Sequence, residues 1–211
     1  MAGWIRRSFT AAGLTQIPPG PHLGALQGRF GGTVMLCIDV SGSMDGTPVT
    51  EAARGALEFV SEAVAAHYQV GVMLWNTDVV ALAEPSVDGS EASRLLASVT
   101  GARGGTSLLA PLRRCHQILD RYSGDRVVAI FGDGDLGPRD LVLAKVAQMK
   151  AEDIRFVTRG LGAVAVREYA RVSSEDSSQV EVRQVENLAA GIAGMAESLS
   201  PRSGTRPTDH H

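Results

Sequence analysis

Short, unbroken apolar runs alternate along this chain with longer stretches whose apolar residues recur every three to four positions, and few folds accommodate that pattern. Thr33–Val40 (TVMLCIDV), Gln69–Trp75 and Arg126–Phe131 (RVVAIF) are such runs. A strand with one wet face alternates apolar and polar residues, whereas a continuously apolar strand is covered on both faces, as in a parallel sheet. Between the first two runs a helix is expected to open at Thr47 as N-cap, with Pro48 at its first helical position. Its apolar residues Val49, Ala52, Ala53, Ala56, Val60, Ala63 and Val64 form one buried stripe. The same periodicity predicts helices over Ser90–Ser98, from about Ser107 to Asp120, and over Arg139–Lys150, Val164–Val172 and Asn187–Leu199. Strands are predicted at Val79–Leu82, Ile154–Val157 and Val180–Val185. This order implies an α/β fold: a doubly wound, mostly parallel six-stranded sheet with one short antiparallel edge strand and helices on both faces.

The 211 residues suit one such domain, expected over residues 32–199, preceded by a Gly/Pro-rich arm (1–31) and followed by a tail that is disordered by composition (200–211). A hydrophobic content of 44% is enough to build a substantial core, and a net charge of −3 without any Lys/Arg-rich run argues against nucleic-acid binding. Two cysteines, Cys37 and Cys115, are too few for a disulfide scaffold; as buried free thiols they suit a reducing compartment. No apolar stretch has the length of a signal-peptide core or of a membrane span, so a cytoplasmic protein is expected.

In open α/β sheets the functional crevice lies beyond the carboxyl ends of the strands. Three loops there carry oxygen-bearing side chains: Asp39, Ser41 and Ser43 after the first strand, Thr106 and Ser107 after the glycine-rich Gly101–Gly105 segment, and Asp133 after the Arg126–Phe131 strand. No imidazole or thiol stands among them, and an all-oxygen set suits a hard cation such as Mg²⁺, with Mn²⁺ or Ca²⁺ as alternatives. Two serines and a threonine are neutral ligands. They leave the cation's charge incompletely quenched and a coordination position open for an external carboxylate, while Asp39 and Asp133 could act directly or through water.

Asp39-Val40-Ser41-Gly42-Ser43, Gly104-Gly105-Thr106-Ser107 and Phe131-Gly132-Asp133-Gly134 together resemble the von Willebrand factor type A family, whose members, integrin inserted domains among them, carry a metal-ion-dependent adhesion site. The likeness extends over roughly Gly32 to Leu199 and includes Gly71-Val72-Met73-Leu74-Trp75 and Gly160-Leu161-Gly162. It implies that Ser41, Ser43 and Thr106 contact the metal through their hydroxyls, while Asp39 and Asp133 hold its waters and orient the loops. It implies, too, a metal-dependent protein-interaction module, an adaptor or assembly factor rather than an enzyme, whose partner presents an Asp or Glu. Intracellular bacterial-type members often work alongside AAA+ ATPases, which makes such an ATPase or its substrate the expected partner. The resemblance also matches Asn187–Leu199 to the helix that shifts in integrin-like relatives. The small residues Ala189, Ala190, Gly191, Ala193 and Gly194 there suit either sliding or close packing.

Competing readings are weaker. Gly132–Gly137 matches the G-x-G-x-x-G dinucleotide fingerprint, but Asp133 and Asp135 would repel a pyrophosphate, and Glu152-Asp153 precede the next strand instead of ending it. The Gly101–Ser107 loop lacks the lysine of a phosphate-binding loop, and Asp39-Val40-Ser41 lacks the second aspartate of a phosphoaspartyl phosphatase. Cys115 and His116 are adjacent on a helix and point about 100° apart, which suits packing better than a nucleophile–base pair. A metal-assisted hydrolase or phosphotransferase would need Asp45 or Asp135 as general base. A structural subunit that holds no metal is the third reading. His67 is expected at a helix end and Trp75 in the core.

Overall fold

The computed structural model describes residues 31–134, 136–175, 181–182 and 184–199. The expected N-terminal arm, the C-terminal tail and Asp135 lie outside the described residues. Six strands form one sheet: β1 (Gly32–Asp39), β2 (Tyr68–Trp75), β3 (Val79–Ser86), β4 (Arg126–Gly132), β5 (Ile154–Leu161) and β6 (Glu181–Val182), in the spatial order β3-β2-β1-β4-β5-β6. All neighbours run parallel except β2 and β3, so the antiparallel strand stands at one edge, as expected. The helices are α1 (Thr47–Ala65), α2 (Ser90–Ala97), α3 (Leu109–Leu119), α4 (Arg139–Ala151), α5 (Gly162–Val172) and α6 (Leu188–Ala193), with 3₁₀ turns at Gly42–Met44, Val185–Asn187 and Gly194–Leu199.

Every residue of β1 is buried, because its alternate side chains serve two different cores. Val34, Leu36 and Ile38 pack with Ala52, Ala56, Phe59 and Ala63 of α1 and with Ile192 and Met195 near the chain's end. Met35 and Cys37 face the other layer, where they meet Leu112, Cys115 and Ile118 of α3, Val146 and Met149 of α4, and Tyr169 of α5. Helices therefore cover both faces, which is why the run TVMLCIDV has no polar alternation. Trp75 is fully buried in the second core.

Several boundaries differ from the sequence expectation, each for a local reason. Thr47 is already helical, and Gly46 precedes it at φ 82°, a left-handed conformation that lets the chain reverse sharply into α1. His67 ends the same helix at φ 64° and donates its N–H to Val64 O, so it is the left-handed residue that closes the last turn. β3 runs four residues past Leu82 through Glu84 and Pro85, residues that an edge strand tolerates. β5 continues past Val157 because its polar residues are satisfied: Thr158 Oγ1 donates to Tyr169 O (3.2 Å), and buried Arg159 pairs with Glu175 (2.6 Å). Of the strand expected at Val180–Val185, Glu181–Val182 pair with β5, and Val185 belongs to a 3₁₀ turn. The single closing helix expected over Asn187–Leu199 is instead α6 flanked by two 3₁₀ turns. Its small residues pack closely: a Cβ on Gly55 of α1 would lie 2.4 Å from Ala189 O and 2.5 Å from Ala189 Cα.

Candidate metal centre

β1 and β4 are neighbours in the sheet, and the register Ile38↔Phe131 sets Asp39 level with Gly132. The chain leaves β1 toward β2 on one side while β4 lies on the other, so the crevice opens at the switch in strand order. Asp39 is fully buried at the floor of this crevice. Its Oδ1 accepts the Ser41 N–H at 2.7 Å, whereas its Oδ2 has no hydrogen-bond partner among the described residues. Burial pushes the Asp39 carboxyl up from 3.8 to about 6; the bonds from Ser41 oppose that rise and the nearby charge of Asp133 adds to it. Gly132 makes room for this arrangement, since a Cβ there would stand 2.9 Å from Asp39 Oδ2 and 2.3 Å from Tyr169 Oη.

Ser41 caps the 3₁₀ turn at Gly42–Met44 and Ser43 lies within it, while buried Met44 anchors the turn in the core. Ser41 Oγ and Ser43 Oγ lie 3.3 Å apart, and Ser43 Oγ donates to Asp133 Oδ1 at 2.8 Å. Ser41 is buried and Ser43 exposed, so the cluster runs from the core to the surface. The glycine-rich segment is tied to the first loop by Arg103 N–H to Val40 O (2.8 Å) and Gly42 N–H to Gly104 O (2.9 Å). Asp45 Oδ1 accepts the Ala102 N–H at 3.1 Å. Asn76, from the turn between β2 and β3, braces the same segment: its Nδ2 donates to Arg103 O (2.8 Å) and its carbonyl accepts the Ser107 N–H (2.9 Å). Thr106 is thereby held against the β4 loop, where a Cβ on Gly134 would lie 3.2 Å from Thr106 Oγ1.

Asp39, Ser41, Ser43 and Asp133 thus form a contiguous chain of contacts, and Thr106 stands at the residue that follows Asp133. Sequence reasoning missed the bracing by Asn76 and the cramped space at Gly132. An asparagine in a tight turn is common enough to carry no signal by itself. Asp45 is the one described candidate for a general base, and it already serves as a backbone acceptor that fastens two loops. Beside the crevice, a cavity of about 360 Å³ is lined by Val40, Asp45, Val80, Ala102 and Arg103, among others.

The donor set fits a hard cation. It is all oxygen, it holds a buried carboxylate oxygen with no hydrogen-bond partner among the described residues, and the charge of Asp133 adds to the pressure on Asp39 to stay protonated in the absence of positive charge. A second group of potential ligands, His116, Asp120 and Glu152, fits less well although the three lie within 4.8 Å of one another. His116 Nε2 is 2.7 Å from Glu152 Oε2 and 3.4 Å from Asp120 Oδ1, but Lys145 Nζ stands 2.5 Å from Nδ1. An ammonium only donates, so Nδ1 accepts and the proton of the neutral imidazole resides on Nε2, the nitrogen a metal would need. Ligating imidazoles carry the opposite tautomer, with the outer nitrogen donating to an acceptor. Arg126, 3.8 Å from Asp120, adds further positive charge. The group is an ion-pair network. His116 and Cys115 also face different neighbours, Glu152 and Cys37, as expected for adjacent helix residues.

Residues 34–135 match the family model described as von Willebrand factor type A domain. Among solved structures, the von Willebrand factor domain of the type V pili tip protein Mfa5 from Porphyromonas gingivalis superposes with a TM-score of 0.69 at 11% identity, over 81% of this chain and 95% of that one. The pilus adhesin SpaC from Lactobacillus rhamnosus GG gives 0.66 at 10% identity, over 81% of this chain and 30% of the adhesin. Proximal thread matrix protein 1 from the mussel byssus, in a structure with a zinc-occupied MIDAS motif, gives 0.65 at 15% identity, over 81% of this chain and 48% of that one. Comparison with curated proteins gives no match. Among the described residues, no helix is long and apolar enough to cross a membrane.

Proposed function

The chain belongs to the von Willebrand factor type A family, and on that footing we propose that it is a metal-dependent protein-interaction module. The hydroxyls of Ser41, Ser43 and Thr106 would hold a divalent cation, Mg²⁺ in the first instance, while Asp39 and Asp133 take its waters and fix the loops. The cation would supply an open coordination position, and a Glu or Asp of a partner protein would fill it. The observation that carries this reading is the buried, half-satisfied carboxylate of Asp39 below a ladder of hydroxyls. An acid in that setting resists ionisation unless positive charge arrives, and a cation bound above it supplies that charge.

The zinc-occupied MIDAS of the byssus matrix protein supports metal competence of the fold's crevice, with the ion itself open to measurement. Turnover would need a proton acceptor at the cation; of the two candidates, Asp45 holds the Ala102 N–H and fastens two loops, and Asp135 lies outside the described residues. Binding without chemistry is the reading proposed. The partner class that the family resemblance suggests, an AAA+ ATPase or its substrate, is part of this proposal.

The test is recovery of partners from the native lysate on immobilised protein, with Mg²⁺, with a chelator, and with Asp39→Ala. The reading predicts partners retained with Mg²⁺ and lost in the other two. Equal recovery in all three would refute it.

A further inference from the structure

We propose that Cys37 and Cys115 are the two halves of an internal disulfide that closes when the chain folds in the presence of a disulfide oxidant. Their sulfurs lie 3.4 Å apart although the residues are 78 positions apart in sequence. Cys37 sits on β1 and Cys115 on α3, which packs over that strand. A disulfide needs a separation of about 2.05 Å, so the two side chains together must approach by about 1.4 Å. Among the described residues nothing else competes for the sulfurs: their polar contacts are with each other and, for Cys37, with Met35 O at 3.9 Å. No imidazole or carboxylate among these contacts would make the pair a metal site.

Burial dictates when the bond can form. Cys37 is 1% and Cys115 0% exposed, so neither thiol meets solvent in the folded domain. Exchange therefore takes place while the core is still open, on a chain whose native contacts bring the thiols together. With oxidised glutathione as the oxidant, one protein thiol attacks a glutathione sulfur. A mixed disulfide forms and one glutathione thiol leaves with the proton. The second protein thiol then attacks the protein sulfur of the mixed disulfide and releases the second glutathione. Two protein thiols are oxidised and one glutathione disulfide is reduced to two thiols.

The bond would join the strand that ends in Asp39 to the helix that begins just after Thr106. It also changes what the cysteine content says about the cell. Two unpaired thiols suit a reducing compartment, whereas a pair already in contact suits an oxidising one equally well.

The test refolds the reduced, denatured full-length chain in a glutathione redox buffer, traps remaining thiols by alkylation, and measures intact mass, linked peptides and Tm. The readout is independent of metal binding, so its failure leaves the proposed metal site untouched. We expect monomer lacking two hydrogen atoms, a linked peptide pair containing Cys37 and Cys115, and a Tm about 5–15 °C above that of the same sample after reduction. Cys37→Ala and Cys115→Ala, treated identically, should show no Tm change on reduction. Wild type that refolds with both thiols alkylated, with glutathione attached, or with links only between chains would overturn the proposal. So would an internal bond that lowers Tm, since it would show that the native packing does not accommodate it.

Discussion

Replacing Asp39 by asparagine is expected to stabilise the metal-free protein at neutral pH and to abolish its response to divalent cations. The carboxyl of Asp39 titrates near 6 in the folded chain and at 3.8 in an ordinary setting, chiefly because it is buried. At about 1.4 kcal/mol for each tenfold change in the equilibrium, that rise amounts to about 3 kcal/mol. The sign follows from proton linkage. Between pH 4 and 6 the folded state holds the proton that the unfolded state has released, so stability falls as pH rises through this window and is level above it. Asparagine has the shape of the protonated acid and keeps an oxygen for the Ser41 N–H. In chelator at pH 7.5, Asp39→Asn should therefore exceed wild type by about 2–3 kcal/mol, or roughly 5–10 °C in Tm. At pH 4, where wild type is itself protonated, the two should converge. Addition of Mg²⁺ or Mn²⁺ at neutral pH should raise the Tm of wild type only. Denaturant unfolding at both pH values, with and without cation, measures all four quantities. A variant less stable than wild type at both pH values in chelator would show the opposite, that ionised Asp39 is an asset to the metal-free fold.

Four further outcomes follow from the packing and the ion pairs. Gly55→Ala gains about 1 kcal/mol of helix propensity but drives a methyl into the Ala189 backbone, so urea unfolding should show a net loss of about 1–2 kcal/mol. Gly132→Ala crowds both Asp39 Oδ2 and Tyr169 Oη; it should lower stability by about 1–3 kcal/mol and weaken cation binding by calorimetry even where the variant remains folded. Glu175→Gln leaves buried Arg159 without its counter-charge and should lose about 3–5 kcal/mol. Glu51→Gln, which breaks the exposed pair with Arg54, should change stability by less than about 0.5 kcal/mol in the same assay.

The sheet order and the helix layers were legible because strands buried on both faces leave an unmistakable apolar run, as β1 and β4 do. Two sides of the crevice were legible because Asp39, Ser41 and Ser43 follow β1 and Asp133 follows β4; Thr106 follows a glycine-rich segment instead of a strand. What escaped sequence reading depends on partners remote in the chain. The second half of β5 carries Thr158 and Arg159, which look like loop residues until Tyr169 O and Glu175 are seen to satisfy them. β3 reaches Ser86 through a proline that only an edge position permits. The terminal segment has small residues at helical spacing, yet with Gly191 and Gly194 inside it the chain breaks into α6 and two 3₁₀ turns. Asp39 and Asp133 look equivalent in sequence; burial separates them, since one lies at the crevice floor and the other receives a bond from exposed Ser43.

Whether hydroxyls from separate loops gather around one hard cation can be read from anomalous diffraction by crystals grown with Mn²⁺. A single strong peak is expected within coordination distance of Ser41, Ser43 and Thr106, absent in Asp39→Ala crystals. A peak at His116, Asp120 and Glu152, or none in the crevice at saturating Mn²⁺, would contradict it.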